Sequence, residues 1–294
     1  MQNIPKRNKF IKKLIRSGVT APFKNHRFCE ADYGSLEVRI AACYTKDPVL
    51  IRYINNPSTD MHRDTAADLF FIDKPMVSDD VRFYAKNGFV FANFYGASPK
   101  SCARNLWKTV PELSDNDGRP VVDYLADNDI YQFEDFQQHI IEVADAFWKK
   151  FKVFRKWQYN TIEEYHERGY IENKFGFRRR GFIGRNEIIN TNIQGSAFQC
   201  LLWAGIQVNK KLRAEGYSSR TMGQIHDSLL TSIHPDEFND VTHIIKYVME
   251  DKLRKTFPWI IVPMIAEFEA SEPGGSWFDL AKVDVKLPRK FKEF

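Results

Sequence analysis

Two aspartates, Asp32 and Asp227, stand in the settings of this chain that most favour catalytic chemistry. Each adjoins short apolar runs typical of strands, although nearly two hundred residues separate them. If the strands share one sheet, the two carboxylates meet at its edge and can hold two divalent cations. Such ions clamp the attacking and leaving oxygens of phosphoryl transfer, about 4 Å apart, and Mg²⁺ needs only one or two carboxylates when substrate phosphates complete its shell. Either aspartate alone is more typical of a turn or cap.

Two cations, Arg82 and Lys86, lie four residues apart in a helical pattern over residues 79–94. Ser78 is the predicted N-cap, and the acids that follow it suit the positive end of the helix dipole. Residues four apart share one helix face, so this helix presents both charges to one ligand, and a triphosphate fits them. Solvated surface cations are the alternative for this pair taken alone.

The elements that position these residues follow from apolar patterns. Residues 28–34 predict a strand that ends near Asp32. Residues 222–230 predict a hairpin with Asp227 at its polar tip. Further helical patterns cover 60–70, 133–168 and roughly 189–214.

Composition limits the class of protein. The chain has 294 residues, 43% hydrophobic and 28% charged, which is enough for a core and excludes disorder along its whole length. No apolar run approaches the roughly 18 residues of a membrane span, and the basic N-terminus is unlike a secretion signal, so we expect a cytoplasmic protein without a membrane partner. Four cysteines without metal-ligand spacing predict reduced thiols.

Charge is unevenly distributed along the chain. Residues 1–29 hold eight Lys or Arg and no acid, residues 174–185 hold a second basic cluster, and residues 109–145 hold ten acids and one Arg. Separate basic and acidic zones favour a protein that faces phosphates on one side. Ordinary solvated charge is the alternative.

Three ordered segments resemble the motifs of family A DNA polymerases, the bacterial polymerase I kind. Residues 32–39, Asp-Tyr-Gly-Ser-Leu-Glu-Val-Arg, resemble motif A, Asp-Tyr-Ser-x-Ile-Glu-Leu-Arg. Residues 82–96 resemble motif B, and Gln-Ile-His-Asp at 224–227 resembles motif C, which usually reads Val-His-Asp-Glu. The segments at 2–5, 60–70 and 277–279 resemble further parts of the family. The resemblance covers about residues 2–280, as a phage-like variant of the palm and fingers.

The resemblance implies roles for the motif A and motif C residues. Asp32 and Asp227 would be catalytic ligands of two Mg²⁺ ions, or of Mn²⁺, with the backbone carbonyl of Tyr33 as a further ligand. Glu37 matches the steric gate that selects deoxynucleotides, a role compatible with a helix N-terminal acid. Ser228 replaces the motif C glutamate, which removes one carboxylate but leaves the aspartate pair.

Motif B departs from the family by one residue. The family has an aromatic four residues after the Lys and a Tyr four later, where this chain has Val and Phe. If the motif is aligned on Tyr95 instead, Phe91 and Tyr95 match the family's aromatic and Tyr. This alignment leaves one extra residue after Lys86. A π-bulge near Gly88 can absorb it. We predict Phe91 and Tyr95 as the base-stacking pair, with Phe89 as the rival on an undistorted helix.

The remaining predicted contacts are with the nucleotide and the primer–template. Arg82 and Lys86 would be catalytic through the triphosphate, and His62 would support the same pocket. Polar side chains able to reach the minor-groove acceptors shared by all base pairs would track the duplex. The predicted DNA-binding residues are Gln2, Asn3, Arg185, Asn190, Gln194, Gln224 and His226.

The resemblance also predicts the fold and its division. We expect an α+β protein with an antiparallel-sheet palm flanked by helices, an inserted, mostly helical fingers domain, and no thumb or exonuclease domain. The predicted ranges are 1–41 and 189–280 for the palm, 42–188 for the fingers with a loop-rich acidic insertion near 109–131, and 281–294 for a basic tail.

The predicted function is template-directed DNA synthesis, in which a dNTP is joined to a primer 3′-OH. A separate chain is expected to carry the thumb and exonuclease, as in a split or truncated polymerase, and the predicted location is the cytoplasm, including that of a phage-infected bacterium. The alternatives are a non-catalytic DNA-binding remnant, against which the paired aspartates and cations argue, and a single-subunit RNA polymerase relative, against which Glu37 argues. A two-metal nuclease would not need the cationic helix.

Overall fold

The computed structural model describes residues 9–288 and residue 294. The chain divides into two compact units, one formed by the residues up to Cys43 together with those from Gln194 onward, and one formed by Tyr44–Ile193. We call them the sheet unit and the helical unit. The predicted fingers range, 42–188, is close to the helical unit.

Seven strands were found in the described residues. They are β1 Arg27–Tyr33, β2 Tyr170–Glu172, β3 Arg178–Arg180, β4 Arg220–Ile225, β5 Ser228–Ile233, β6 Ala266–Ala270 and β7 Ala281–Val283.

Thirteen α-helices occur over the same residues. They are α1 Lys9–Ser17, α2 Leu36–Thr45, α3 Pro48–Asn55, α4 Met61–Phe70, α5 Asp79–Ala85, α6 Ala92–Phe94, α7 Pro99–Trp107, α8 Val121–Ala126, α9 Phe133–Lys150, α10 Lys152–Arg168, α11 Arg185–Ala214, α12 Phe238–Tyr247 and α13 Leu253–Thr256. Two π-helical segments, Lys86–Phe91 and Val248–Lys252, and four short 3₁₀ turns complete them.

The sheet unit contains an antiparallel sheet in the order β4-β5-β1-β6-β7. Strand β1 is central, with Asp32 opposite Ser228 on β5 and opposite Glu267 on β6. All six residues of β5 are buried. Phe28, Leu230 and Trp277 form a core cluster under this sheet. The predicted α+β class with an antiparallel sheet is confirmed.

The helical unit is built around aromatic side chains. Phe94 packs on Phe154 at 4.6 Å between ring centroids, and Phe147 packs on Phe151 at 4.7 Å. Phe89 packs edge-on against Phe147 at 5.6 Å. This core fixes the α5 segment, whose N-cap Ser78 accepts a hydrogen bond from the Val81 amide as predicted.

Two predicted segments differ in the structure. The basic tail was predicted from residue 281, but Ala281–Val283 forms β7, which pairs with β6 and extends the sheet. The loop-rich insertion near 109–131 contains a short helix, α8, after Pro120, whose fixed backbone suits a helix start. The four cysteines are free and buried, as predicted. No helix among residues 9–288 is long and apolar enough to cross a bilayer.

Candidate active site

The aspartates predicted as metal ligands meet at one end of the sheet. Asp32 lies near the end of β1, and Asp227 lies in the two-residue turn between β4 and β5. The Tyr33 amide donates to the Asp227 carbonyl at 3.2 Å, which joins the strand end to the hairpin tip. His226, the other turn residue, has a φ of 54°, a left-handed conformation that is unusual for a residue other than glycine.

The Asp32 carboxyl is held in an environment that disfavours its charge. Burial, followed by the charge of the Asp227 carboxylate, raises the pKa of Asp32 from 3.8 to about 7. The Ser228 hydroxyl lies 2.9 Å from Asp32 Oδ1 and lowers the pKa, whereas Glu30 raises it. The two carboxyl groups are therefore close enough to repel each other when both are charged.

These residues fit a divalent cation. Two neighbouring carboxylates, one with a raised pKa, form an oxygen-ligand pair whose repulsion a cation would relieve. No group of three or more His, Cys, Asp or Glu side chains within residues 9–288 is arranged as a ready-made metal cage. The pair therefore suits an ion whose remaining ligands come from elsewhere, such as Mg²⁺ on substrate phosphates.

The other predicted residues of the sheet unit lie on neighbouring elements. Glu37, in the first turn of α2, accepts a hydrogen bond from Gln194 Nε2 on α11 at 3.1 Å. The Tyr33 phenol is buried and donates to the Met249 carbonyl at 2.8 Å, so the backbone of Tyr33 remains as the candidate ligand. Gln224 is half-buried on β4, and His226 is exposed at the hairpin tip.

The predicted triphosphate residues gather in the helical unit. Arg82 Nε donates to Asp60 Oδ2 at 2.6 Å, and Asp60 also caps α4 by accepting from the His62 amide. Burial alone would raise the pKa of Asp60, but the hydrogen bond from Arg82 keeps it below its usual value. Asp60 thus positions both Arg82 and His62. Sequence reasoning included Asp60 only in a matching segment and missed this role.

His62 is neutral in this cluster. Burial, together with the charges of Lys86 and Arg82, lowers its pKa to about 3. Its side chain is buried, and Nδ1 has no hydrogen-bond partner among the described residues. A neutral imidazole can donate one hydrogen bond to an anion without adding charge.

The predicted distortion after Lys86 is present as the π-helical segment Lys86–Phe91. Phe89 is fully buried and therefore belongs to the core rather than to a binding face. Phe91 is half-exposed, with Lys86 Nζ 5.1 Å from its ring centroid and His62 edge-on at 5.7 Å. The Tyr95 ring centroid lies 6.2 Å from that of Phe91, so the two predicted aromatics are neighbours, and Phe91 lies beside Lys86.

Gly88 permits this arrangement. A Cβ at residue 88 would lie 2.6 Å from Cδ2 and 3.2 Å from Cγ of Leu106, a buried side chain on α7. These distances are shorter than a carbon contact allows, so the helix approaches α7 closely only because residue 88 has no side chain.

The predicted duplex contacts are placed as follows. Arg185 is exposed at the start of α11, with its guanidinium 5.4 Å from the Tyr159 ring centroid. Asn190 is half-buried on the same helix, and Gln194 is exposed. Gln2 and Asn3 lie outside the described residues.

A buried polar chain behind Asp32 was not predicted. Glu30, on the same strand, accepts hydrogen bonds from Ser228 Oγ and from Trp277 Nε1, each at 2.7 Å. Its position two residues before Asp32 indicates a shared face, but the sequence carries no signal for either partner.

Known proteins that are similar to this chain are DNA polymerases. The sequence profile of DNA polymerase family A matches residues 1–125 and 131–277. The chain is 26% identical over 294 residues to DNA polymerase I of Streptococcus pneumoniae serotype 4, covering 95% of this chain and 29% of that protein. It is 27% identical over 291 residues to DNA polymerase I of Chloroflexus aurantiacus, covering 96% of this chain and 27% of the relative.

The fold is also shared with a solved structure, the POL domain of Pol1 from M. smegmatis in complex with DNA primer-template and dNTP. The TM-score is 0.70 at 22% identity, over 94% of this chain and 44% of that one. The chain spans less than a third of the length of the two curated relatives named above. The profile match covers most of the sequence and confirms the predicted resemblance: the chain belongs to DNA polymerase family A.

Proposed function

We propose that this chain catalyses template-directed DNA synthesis, in which the 3′-OH of a primer attacks a dNTP and releases pyrophosphate. The observation that carries the proposal is the convergence of Asp32 and Asp227 at one end of the sheet, where Asp32 pairs with Ser228 and the Tyr33 amide donates to the Asp227 carbonyl. Membership of the polymerase family supports it. In this proposal the sheet unit is the palm and the helical unit is the fingers.

Asp32 and Asp227, with the Tyr33 carbonyl, would hold two Mg²⁺ or Mn²⁺ ions. When bound, such ions supply positive charge to the attacking and leaving oxygens of the transferred phosphoryl group. The protein's own contribution is to keep two carboxylates near each other despite their repulsion. The backbone hydrogen bond from the Tyr33 amide to the Asp227 carbonyl joins the two segments that carry them.

The cationic face of the helical unit would bind the triphosphate. Arg82 is held by Asp60, so its guanidinium is oriented before the nucleotide arrives. Lys86 supplies a second charge and a proton donor for the leaving pyrophosphate. His62 would donate a neutral hydrogen bond, while Phe91 and Tyr95 would stack on the base.

Selection of the sugar and contact with the duplex would come from neighbouring side chains. The hydrogen bond from Gln194 holds Glu37 in place, so that its carboxylate can exclude a ribose 2′-OH. The residues proposed to contact primer–template DNA are Gln2, Asn3, Arg185, Asn190, Gln194, Gln224 and His226.

Primer extension with Mg²⁺ tests the proposal. Asp227→Ala should reduce the rate of nucleotide addition about a thousandfold or more, because the lost charge stabilisation is worth several kcal/mol. The matched control is Glu272→Ala, which removes an exposed acid of the sheet unit that pairs with Arg27 at 3.5 Å. Near-normal extension by folded Asp227→Ala would refute the assignment.

A companion chain with thumb and exonuclease domains, and a phage source, remain predictions. Purification from the native host tests the first. Recovery of a second polymerase-like chain with this protein would support it, and recovery of this protein alone would contradict it.

A further inference from the structure

Glu30 occupies an unusual place for a carboxylate. It lies on the central strand β1, two residues before Asp32, opposite Leu230 on β5 and Glu269 on β6. Both of its oxygens accept hydrogen bonds, Oε1 from the Ser228 hydroxyl and Oε2 from the Trp277 indole, each at 2.7 Å. A charged side chain in the middle of a sheet destabilises the fold unless hydrogen-bond partners such as these compensate for its lost hydration.

Ser228 connects Glu30 to the aspartate pair. Its hydroxyl is 2.7 Å from Glu30 and 2.9 Å from Asp32 Oδ1, and its side chain is buried. A hydroxyl carries one proton and can donate to only one of these acceptors at a time. The orientation of Ser228 therefore depends on both carboxylates, and a change at Glu30 is transmitted to Asp32.

Trp277 holds the other side of Glu30. The indole is 3% exposed, stacks on Phe28 at 6.2 Å between centroids, and lies under the Arg16 guanidinium at 4.2 Å. Its amide donates to the Val19 carbonyl at 2.8 Å. The indole that donates to Glu30 is thus itself held by Phe28, by Arg16 and by its own backbone hydrogen bond.

We propose that Glu30 is a positioning residue for Asp32, acting through the Ser228 hydroxyl to hold the Asp32 carboxylate beside Asp227. The inference rests on the proposed function, because positioning matters only if Asp32 binds a cation. A residue needed only for packing under Trp277 would not require a carboxylate that reaches Ser228. Partners of metal ligands typically contribute about 10- to 100-fold in metal affinity or activity.

Mn²⁺ binding to the whole chain, measured by electron paramagnetic resonance of the free ion, tests this inference without relying on catalysis. We expect Glu30→Gln and Ser228→Ala each to weaken binding about tenfold. The double variant should bind no more weakly than the weaker single variant, because both changes break one chain of hydrogen bonds.

The matched control is Glu269→Gln. Glu269 lies directly across from Glu30 on β6 and lines the same cleft of about 770 Å³, so the substitution removes the same charge from the same place. The hydrogen bonds of the Ser228 hydroxyl go to Glu30 and Asp32, not to Glu269. Binding by this variant should change less than about threefold.

The outcomes separate the two proposals. If the wild-type protein binds no Mn²⁺, or binds it equally well after Asp227→Ala, the proposed function fails. If wild-type binding depends on Asp227 but folded Glu30→Gln and Ser228→Ala both bind like wild type, or Glu269→Gln weakens binding equally, the positioning role is refuted. Should Glu30→Gln fail to fold, Ser228→Ala decides by the same criterion.

Discussion

Replacement of Asp32 by Asn should make the metal-free protein more stable while removing a residue needed for synthesis. The folded state raises the pKa of this carboxyl from 3.8 to about 7, first by burial and then through the Asp227 carboxylate. Above that pH, the Asp32 carboxylate is charged and partly buried in the folded protein, whereas in the unfolded chain it is hydrated, so its charge destabilises the fold. Asn has the same shape, still accepts from Ser228, and carries no charge.

The size of the effect follows from linkage between protonation and folding. At about 1.4 kcal/mol per pKa unit, the shift is worth about 4 kcal/mol. Asp32 is partly exposed and solvent screens part of the effect, so we expect about half, roughly 2 kcal/mol. Since the folded pKa is raised, wild-type stability from this group is fully present below pH 3.8 and is lost as pH rises through about 7.

Thermal unfolding in EDTA across this pH range measures the gain. Near pH 8 the variant should melt roughly 4–8 °C above wild type, from about 2–4 °C per kcal/mol for a large domain, and the gap should close near pH 4. Mg²⁺ should raise the wild-type Tm and have little effect on the variant. A variant that melts at or below the wild-type temperature near pH 8 would refute the electrostatic reasoning.

Three further predictions concern other residues. Glu37→Ala should allow incorporation of ribonucleotides. Gln194→Ala should do so more weakly, because it removes only the hydrogen bond that holds the Glu37 side chain. An unchanged ratio of rNTP to dNTP incorporation in Glu37→Ala would show that Glu37 does not select the sugar. Gly88→Ala should lower the free energy of unfolding by about 1–3 kcal/mol, measured with denaturant, because the new side chain clashes with Leu106. In a chain that also carries Leu106→Ala, the Gly88 change should be nearly neutral. An equal loss of stability with and without Leu106→Ala would contradict the close approach of residue 88 to Leu106. The His62 imidazole, whose pKa burial and two nearby cations lower to about 3, should remain neutral in NMR spectra at pH 5, and stability should fall as pH drops below 6.5; titration near pH 6.5 contradicts this.

The arrangement of the aspartate pair was within reach of the sequence. Strand patterns ended at Asp32 and turned at Asp227, and neighbouring residues matched ordered motifs, so a shared sheet edge was the simplest arrangement. The distortion after Lys86 was also predictable, because one surplus residue before Tyr95 had to be absorbed in a helix. Gly88 marked its position, although only the structure shows Leu106 filling the space.

Other features depend on strand register, which the sequence does not specify. Glu30 reads as an ordinary alternating strand residue, and its partners Ser228 and Trp277 lie about two hundred or more residues away. The three-residue strand β7 is too short to give a periodic signal, and it forms because β6 offers an unpaired edge. Local sequence patterns predict the helices and strands, whereas these contacts depend on how strands that are distant in sequence pair with one another.

The hairpin tip also bears on whether the chain is an enzyme or a non-catalytic remnant. His226 has a left-handed backbone there, a conformation worth of order 1–3 kcal/mol of strain. At the same end of the sheet, the Asp32 carboxyl lies in an environment that disfavours its charge. Two such costs at one end of the sheet are expected where a site needs a fixed geometry. Asp32→Asn therefore separates the two interpretations in one protein: a remnant would gain stability and lose nothing, whereas a polymerase would gain stability and lose primer extension.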